Sequence, residues 1–318
     1  MSPRRRQPNR SSDVRTASAP ELSRRAVLLG AAGVAGVGLL GACSSSSETS
    51  TGTAGSTPGS AAPKATGPSL IAVFDPNALA VVNTPTRLPF AVGDADGVAT
   101  KDGPNELTFT VVTAGGPIGD PIVVPRHNEG IPIGYYPVRF TPTTTGAHTA
   151  RTVIDGKELE QTFMVSATSP TDLVLPGQQL RDVATPTFDD PLGTDPICTR
   201  QPECPLHDTS LTTALADDAP IALLFSTPAF CQIGVCGPTL DLFIAEQKNH
   251  AGTQFIHCEI YKTAPTSGPV SLVDAVESFG LTYEPALYVA TADGTVTERL
   301  DNVFDASEIR QALGTASA

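Results

Sequence analysis

Cys231 and Cys236 stand five positions apart in Phe230-Cys231-Gln232-Ile233-Gly234-Val235-Cys236-Gly237-Pro238. The apolar run Ile221 to Phe225 precedes them and the amphipathic stretch Leu240 to Gln247 follows. The first thiol therefore falls between a strand and a helix. Backbone N–H groups and the dipole at a helix N-terminus favour thiolate over thiol, which makes such a cysteine a nucleophile. Two residues five apart on a regular helix have Cα atoms roughly 8.7 Å apart, beyond the limit of about 7 Å for a disulfide. Either Cys231 sits in the turn ahead of the helix, or the first turn unwinds when the bond forms. Gly234 makes such a distortion cheaper.

A second group is Cys198-Thr199-Arg200-Gln201-Pro202-Glu203-Cys204-Pro205-Leu206-His207. Cys198 and Cys204 lie in a Pro-containing loop and are expected to form a structural disulfide that pins the loop to the following domain. The alternative is a soft-metal site of Cys198, Cys204 and His207, because thiolate and imidazole suit copper or zinc. His257 and Cys258 are neighbours on a strand, where successive side chains point to opposite faces. One of them is core, and Cys258 is expected to be that one, unpaired and inert. No metal ligand is assigned, and dithiol chemistry at Cys231 and Cys236 requires no dissociable cofactor. Five cysteines follow Cys43, an odd number that leaves at least one free thiol in any monomer.

The elements that must position these groups fall into two patterns. From residue 69 to 167 the chain alternates in short apolar runs broken by Pro and Gly: Leu70 to Phe74, Leu107 to Val112, Pro121 to Val124, Tyr136 to Phe140 and Thr162 to Val165. Short strands with a turn every ten or so residues predict an all-β sandwich. His127 and His148 are expected on its surface or in its turns. Residues 168–207 form a Pro-rich linker carrying the first Cys pair. From 208 to 318 the period changes. Ser210 is placed to cap a short helix. The continuous apolar strand Ile221 to Phe225 suits a central position covered on both faces. The helix of Leu240, Phe243 and Ile244, the strand Gln254 to Tyr261, and a helix opened by Ser271 follow. The strand Pro285 to Ala290 then turns at Asp293-Gly294 into Thr295 to Leu300. Asp305-Ala306-Ser307-Glu308 is a capping box for the last helix.

That order of elements, with a cysteine after the first central strand and a proline opening the third, resembles the thioredoxin fold over about 110 residues. Glu284-Pro285 falls where thioredoxins carry a cis-proline beside the active-site cysteine. The resemblance implies that Pro285 is cis, lies against Cys231 and helps bind an extended peptide. Pro238 matches the proline that kinks the first helix of that family. The chain lacks the Trp and Gly-Pro of the thioredoxin motif, and Phe230 and a longer insert stand there. Tyr135 to Gly146 resembles the strand and turn near the end of many immunoglobulin-like domains, without their disulfide.

The first 42 residues resemble an export signal: a basic region with Arg4 to Arg25, an apolar stretch from Ala26 to Leu40, and Leu40-Gly41-Ala42-Cys43, similar to a bacterial lipobox. Ser23-Arg24-Arg25-Ala26-Val27-Leu28-Leu29 resembles a twin-arginine motif. The resemblance implies lipidation at Cys43, removal of residues 1–42, and attachment at the outer face of the cell membrane. Residues 43–68, rich in Ser, Thr, Gly, Ala and Pro, read as a flexible tether, a composition that resembles actinobacterial lipoproteins. The formal net charge is −13. Residues 1–42 hold seven arginines against Asp13 and Glu21, so the remainder is more acidic still. Such a surface excludes nucleic acid as partner and leaves the lipid to hold the protein to the membrane.

Thiol–disulfide exchange with protein thiols or disulfides outside the cytoplasm is the expected function, with Cys231 attacking and Cys236 resolving. Other readings stay open at this point. A thioredoxin-like binding protein with only structural disulfides fits the same residues. A peroxidase similar to peroxiredoxins with cysteines five apart would want Thr where Pro228 stands. A copper chaperone would want C-x-x-x-C and a distant His.

Overall fold

The structure is a computed structural model that describes residues 67–266 and 268–316. The export signal, the lipobox with Cys43 and almost all of the tether lie outside the described residues. No helix among the described residues is long and apolar enough to cross a membrane. The described chain belongs to one compact unit, Ala61–Ala318.

Nine strands come first: β1 (Ser69–Ala72), β2 (Ala80–Val81), β3 (Thr86–Gly93), β4 (Glu106–Thr113), β5 (Gly116–Pro117), β6 (Ile122–Pro125), β7 (Tyr135–Phe140), β8 (Gly146–Ile154) and β9 (Lys157–Ser166). One sheet has the order β1-β3-β7, and the other β2-β9-β8-β4-β5 with β6 also paired to β4. Along β8 and β9 buried and exposed residues alternate, as a sheet with one wet face requires. Phe90 and Phe109 stack between the sheets with ring centroids 5.5 Å apart. β3 is buried along its whole length although it contains Pro89 and Arg87. It hydrogen-bonds to β1 and β7, and its charged side chain is neutralised from the C-terminal part of the chain.

After a long irregular segment come α1 (Leu211–Ala214), β10 (Ile221–Phe225), α2 (Cys236–Gln247), β11 (Gln254–Cys258), α3 (Asp274–Ser278), β12 (Ala286–Ala290), β13 (Val296–Asp301) and α4 (Ala306–Thr315). Their sheet has the order β11-β10-β12-β13, with β10 parallel to β11 and antiparallel to β12. β10 and β12 are buried at every position, as central strands covered on both faces must be. Ala222, Leu224 and Phe255 face one apolar cluster with Leu240 and Phe243 of α2 and Ile309 of α4. Leu223, Phe225 and Ile256 face the other, with Val276 and Phe279. That second cluster runs on through Leu173, Val174 and Leu180 into the sandwich core at Phe90 and Phe163.

Polar contacts also tie the sandwich to β13 and α4. Arg87 of β3 donates from Nε to Glu308 Oε1 at 2.9 Å and from Nη1 to the Asp301 carbonyl at 3.0 Å. Tyr135 and Arg139 donate to the same Glu308. Of the two histidines expected on the surface or in turns, His127 lies half-buried in the connection between β6 and β7, and His148, on β8, departs from that expectation. His127 Nδ1 lies 3.1 Å from Asp305 Oδ1, at the join between sandwich and α4. His148 is buried beside Phe163 and 3.0 Å from the Gly146 carbonyl. Both rings replace solvent with a fixed acceptor, which β-alternation by itself does not specify.

Helix starts follow the sequence in part. Asp305 caps α4 by accepting from the Glu308 amide at 3.0 Å, but the Glu308 carboxylate turns to Arg87 instead of closing the box. Ser210 stands at the N-cap of α1, yet its hydroxyl accepts from the Thr185 amide. The helix expected from Ser271 begins at Asp274, because Leu272 bridges to Tyr261 in extended conformation.

Candidate functional site

β10 ends at Phe225 and α2 begins at Cys236, so the ten residues between them carry Cys231, and Cys236 opens the helix that follows. Cys231 lies in the turn ahead of the helix, the first of the two arrangements that its spacing allows. Gly234 takes φ +69°, the left-handed conformation that brings the chain from this turn into α2. Cys236 is the first helical residue and fully buried, whereas Cys231 is half-buried. The Cys236 amide donates to Cys231 Sγ at 3.3 Å. The Cys231 thiol is held down at about 6, first by a hydrogen bond from the Cys236 thiol and then by amides of Cys236, Val235 and Ile233, with burial opposing them. Burial pushes the Cys236 thiol strongly up, and so does its role as donor to Cys231. One accessible thiolate and one buried, protonated thiol result from the same contact.

The Glu284–Pro285 peptide is cis, and it leads directly into β12 beside β10. Glu284, which sequence reasoning passed over, has its carboxyl raised to about 7, by burial first and by the Cys231 charge second. Tyr261 also titrates above its ordinary range, chiefly through burial and then through Glu284, Cys236 and Cys231. Its ring meets Phe230 edge-on with centroids 6.1 Å apart. The signal for Glu284 lay only in its place before the proline. A groove of about 390 Å³ adjoins the dithiol turn, lined by Ile71, Val73, Phe74, Val98, Ile133 and Ile233 among others. Larger cavities, of about 620 and 420 Å³, are lined by none of the cysteines.

Cys198 and Cys204, expected as a structural disulfide, stand here as two buried thiols close to each other. Residues 195–207 dock on the open edge of β11. The Asp195 amide donates to the Lys262 carbonyl, and the His257 amide to the Leu206 carbonyl at 2.9 Å. That turns Cys198, Cys204 and His207 toward His257, with one ligand atom of each of the four within 4.8 Å of the others. His257 Nδ1 lies 3.3 Å from Cys204 Sγ, 3.8 Å from Cys198 Sγ and 3.1 Å from His207 Nε2. His257 and Cys258 point to opposite faces as expected, but both are fully buried, since β11 is covered on both sides. Cys258 is unpaired and its thiol is pushed up by burial, which keeps it unreactive. Cys198 is drawn down by the Cys204 thiol, His207 and His257, and Cys204 is correspondingly pushed up.

The two groups are joined. Ser226, directly after β10, places Oγ 2.9 Å from His257 Nε2. Thr199 donates from its amide and hydroxyl to Glu259, and its hydroxyl accepts from the Ala229 amide at 3.1 Å. Arg200 reaches Asp241 of α2 at 2.7 Å.

No family model and no curated protein matches the chain. Solved structures give partial likenesses. A solution structure from Bacteroides thetaiotaomicron, provisionally described as a protein disulfide isomerase, is 14% identical, with a TM-score of 0.28, over 46% of this chain and 92% of that one. The Lin-41 filamin domain is 15% identical, with a TM-score of 0.23, over 34% of this chain and 99% of its own. Salmonella alpha-2-macroglobulin reacted with methylamine is 20% identical, with a TM-score of 0.27, over 40% of this chain and 8% of its own length.

Proposed function

We propose that the protein is a thioredoxin-like thiol–disulfide oxidoreductase, anchored through Cys43 at the outer face of the cell membrane, with other proteins' thiols or disulfides as partners. The observation that carries this reading is the asymmetry of the pair: an accessible Cys231 held as thiolate by the Cys236 amide and thiol, with Cys236 buried behind it. A purely structural disulfide has no need of a depressed thiol. The sheet order β11-β10-β12-β13, the helix that starts at Cys236 and the cis Glu284–Pro285 bond support the thioredoxin-like reading.

The chemistry balances within the chain and its client. Cys231 thiolate attacks one sulfur of a client disulfide and forms a mixed disulfide, and the other client sulfur leaves as thiolate and takes up a proton. Cys236 then loses its proton and attacks Cys231 Sγ, releasing the second client thiol. Two electrons pass to the client, and Cys231 and Cys236 are left as a disulfide; the reverse sequence oxidises the client. Glu284, whose carboxyl is raised by the Cys231 charge and whose own charge acts on Cys236, would be the acceptor for the Cys236 proton. The apolar groove at Ile233 would receive an extended client segment, and Asn302, which also lines it, donates its amide to the Pro285 carbonyl at 2.8 Å.

Replacing Cys236 by Ser blocks the second step. Expressed in the exporting cell, this variant should accumulate mixed disulfides through Cys231 that vanish on reduction and are missing when Cys231 is also replaced. Absence of any such adduct contradicts the proposal.

A further inference from the structure

We infer that Cys198, Cys204, His207 and His257 form a closed tetrahedral site for one zinc ion. Three groups converge on His257 Nδ1, at 3.3, 3.8 and 3.1 Å. A ring nitrogen carries a single hydrogen or a single lone pair and satisfies one such partner, not three. A cation among them satisfies all four groups at once. With bonds of about 2.3 Å to sulfur and about 2.05 Å to nitrogen, a tetrahedron has edges of about 3.5 Å from S to N and about 3.3 Å from N to N. The three observed distances scatter around these lengths.

The surroundings are those of a ligand set. His257 Nε2 lies 3.2 Å from the Ser226 carbonyl, which only accepts, and 2.9 Å from Ser226 Oγ. Its proton is thereby held on Nε2, and Nδ1 keeps a lone pair aimed at the sulfurs, which is how ligating histidines are oriented. His207 Nδ1 is buried and has no hydrogen-bond partner, so Nε2 is the ring's one engaged nitrogen. All four residues are at most 1% exposed, and no position is left for substrate, which marks a structural rather than a catalytic centre. Binding expels one proton from each thiol. Two thiolates then balance the two charges of the ion, so a neutral centre sits in the apolar cluster around Leu206 and Phe255.

The site would clamp the irregular segment to β11. Through Ser226 and the Thr199–Ala229 hydrogen bond it would also fix both ends of the strand-to-turn passage that carries Cys231. It stands on residues that the exchange reaction does not use.

The test is zinc and thiol analysis of the full chain purified without chelator. We expect about one zinc per chain, Cys198 and Cys204 unreactive to alkylation until zinc is removed, and thiolate-to-metal charge-transfer absorption when cobalt(II) replaces it. Ser226→Ala, which leaves all four ligands in place, should weaken zinc binding about 10–100-fold. His257→Gln should abolish it; should that variant not fold, the cobalt spectrum of the unaltered chain decides alone. A Cys198–Cys204 disulfide in non-reduced peptide maps, no bound metal, or copper(I) in place of zinc each overturns the assignment. Cys231 alkylation followed in the same samples separates this result from the fate of the exchange reaction.

Discussion

The amide of Cys236 points at the sulfur of Cys231 from 3.3 Å, across the turn that the left-handed Gly234 makes possible. Cys231 is thus outside the helix and Cys236 is its first residue.

Alkylation of reduced Cys231 should therefore reach half its maximal rate near pH 6, against the usual value of 9. Cys236→Ala removes the leading cause, one hydrogen bond to a charged sulfur worth about 1.5–3 kcal/mol. The midpoint should move up by about one to two units. Because the folded value is depressed, reduced protein gains stability from Cys231 above the unfolded thiol value and loses it as pH falls through about 6.

Glu284 acts with the opposite sign. Its folded value of about 7 exceeds the ordinary 4.5, so its contribution is complete below about pH 4.5 and is lost as pH rises through 7. Reduced Glu284→Gln protein should be more stable than the unaltered chain at pH 8 in urea titrations, with the difference shrinking toward pH 5. Client reduction by this variant should also lose any dependence on an ionisation near pH 7.

The Arg87–Glu308 pair joins sandwich to α4 with both side chains buried. Glu308→Ala strands a buried guanidinium and should cost about 3–5 kcal/mol in urea unfolding. Arg87→Met combined with Glu308→Leu should recover much of that. Burial works against the Glu308 carboxylate, but Arg87, Tyr135 and Arg139 hold it below its ordinary 4.5. Its stabilisation is complete above about pH 4.5 and fades as pH falls below that, so the double variant should unfold less steeply in acid.

Gly234→Ala forces a Cβ into a left-handed conformation with open space around it. The penalty is purely backbone, about 1–2 kcal/mol, and should appear as a lower urea midpoint with faster hydrogen exchange at residues 231–236.

Legibility followed the range of the interaction. Strands β4, β7 and β10, the turn at Gly294 and the Asp305 cap were readable because local pattern decides them. β3 was not, since Pro89 and Arg87 argue against a buried strand until Glu308 arrives from 221 residues away. The dithiol could be read from its spacing and flanks. Glu284 could not, because its character comes from burial near Cys231. His257 reads as a strand residue, but its local pattern gives no sign of a partnership with Cys198 and Cys204. What brings them together is the docking of Leu206 on the open edge of β11, a contact across 51 residues that no periodicity encodes.

The reduction potential of the Cys231–Cys236 pair, measured by equilibration with glutathione buffers at pH 7, tests the central claim most directly. A thiolate stabilised as Cys231 is favours the reduced form and predicts a potential between about −270 and −120 mV, the range of working oxidoreductases. A value below about −300 mV, the range of structural disulfides, would contradict it.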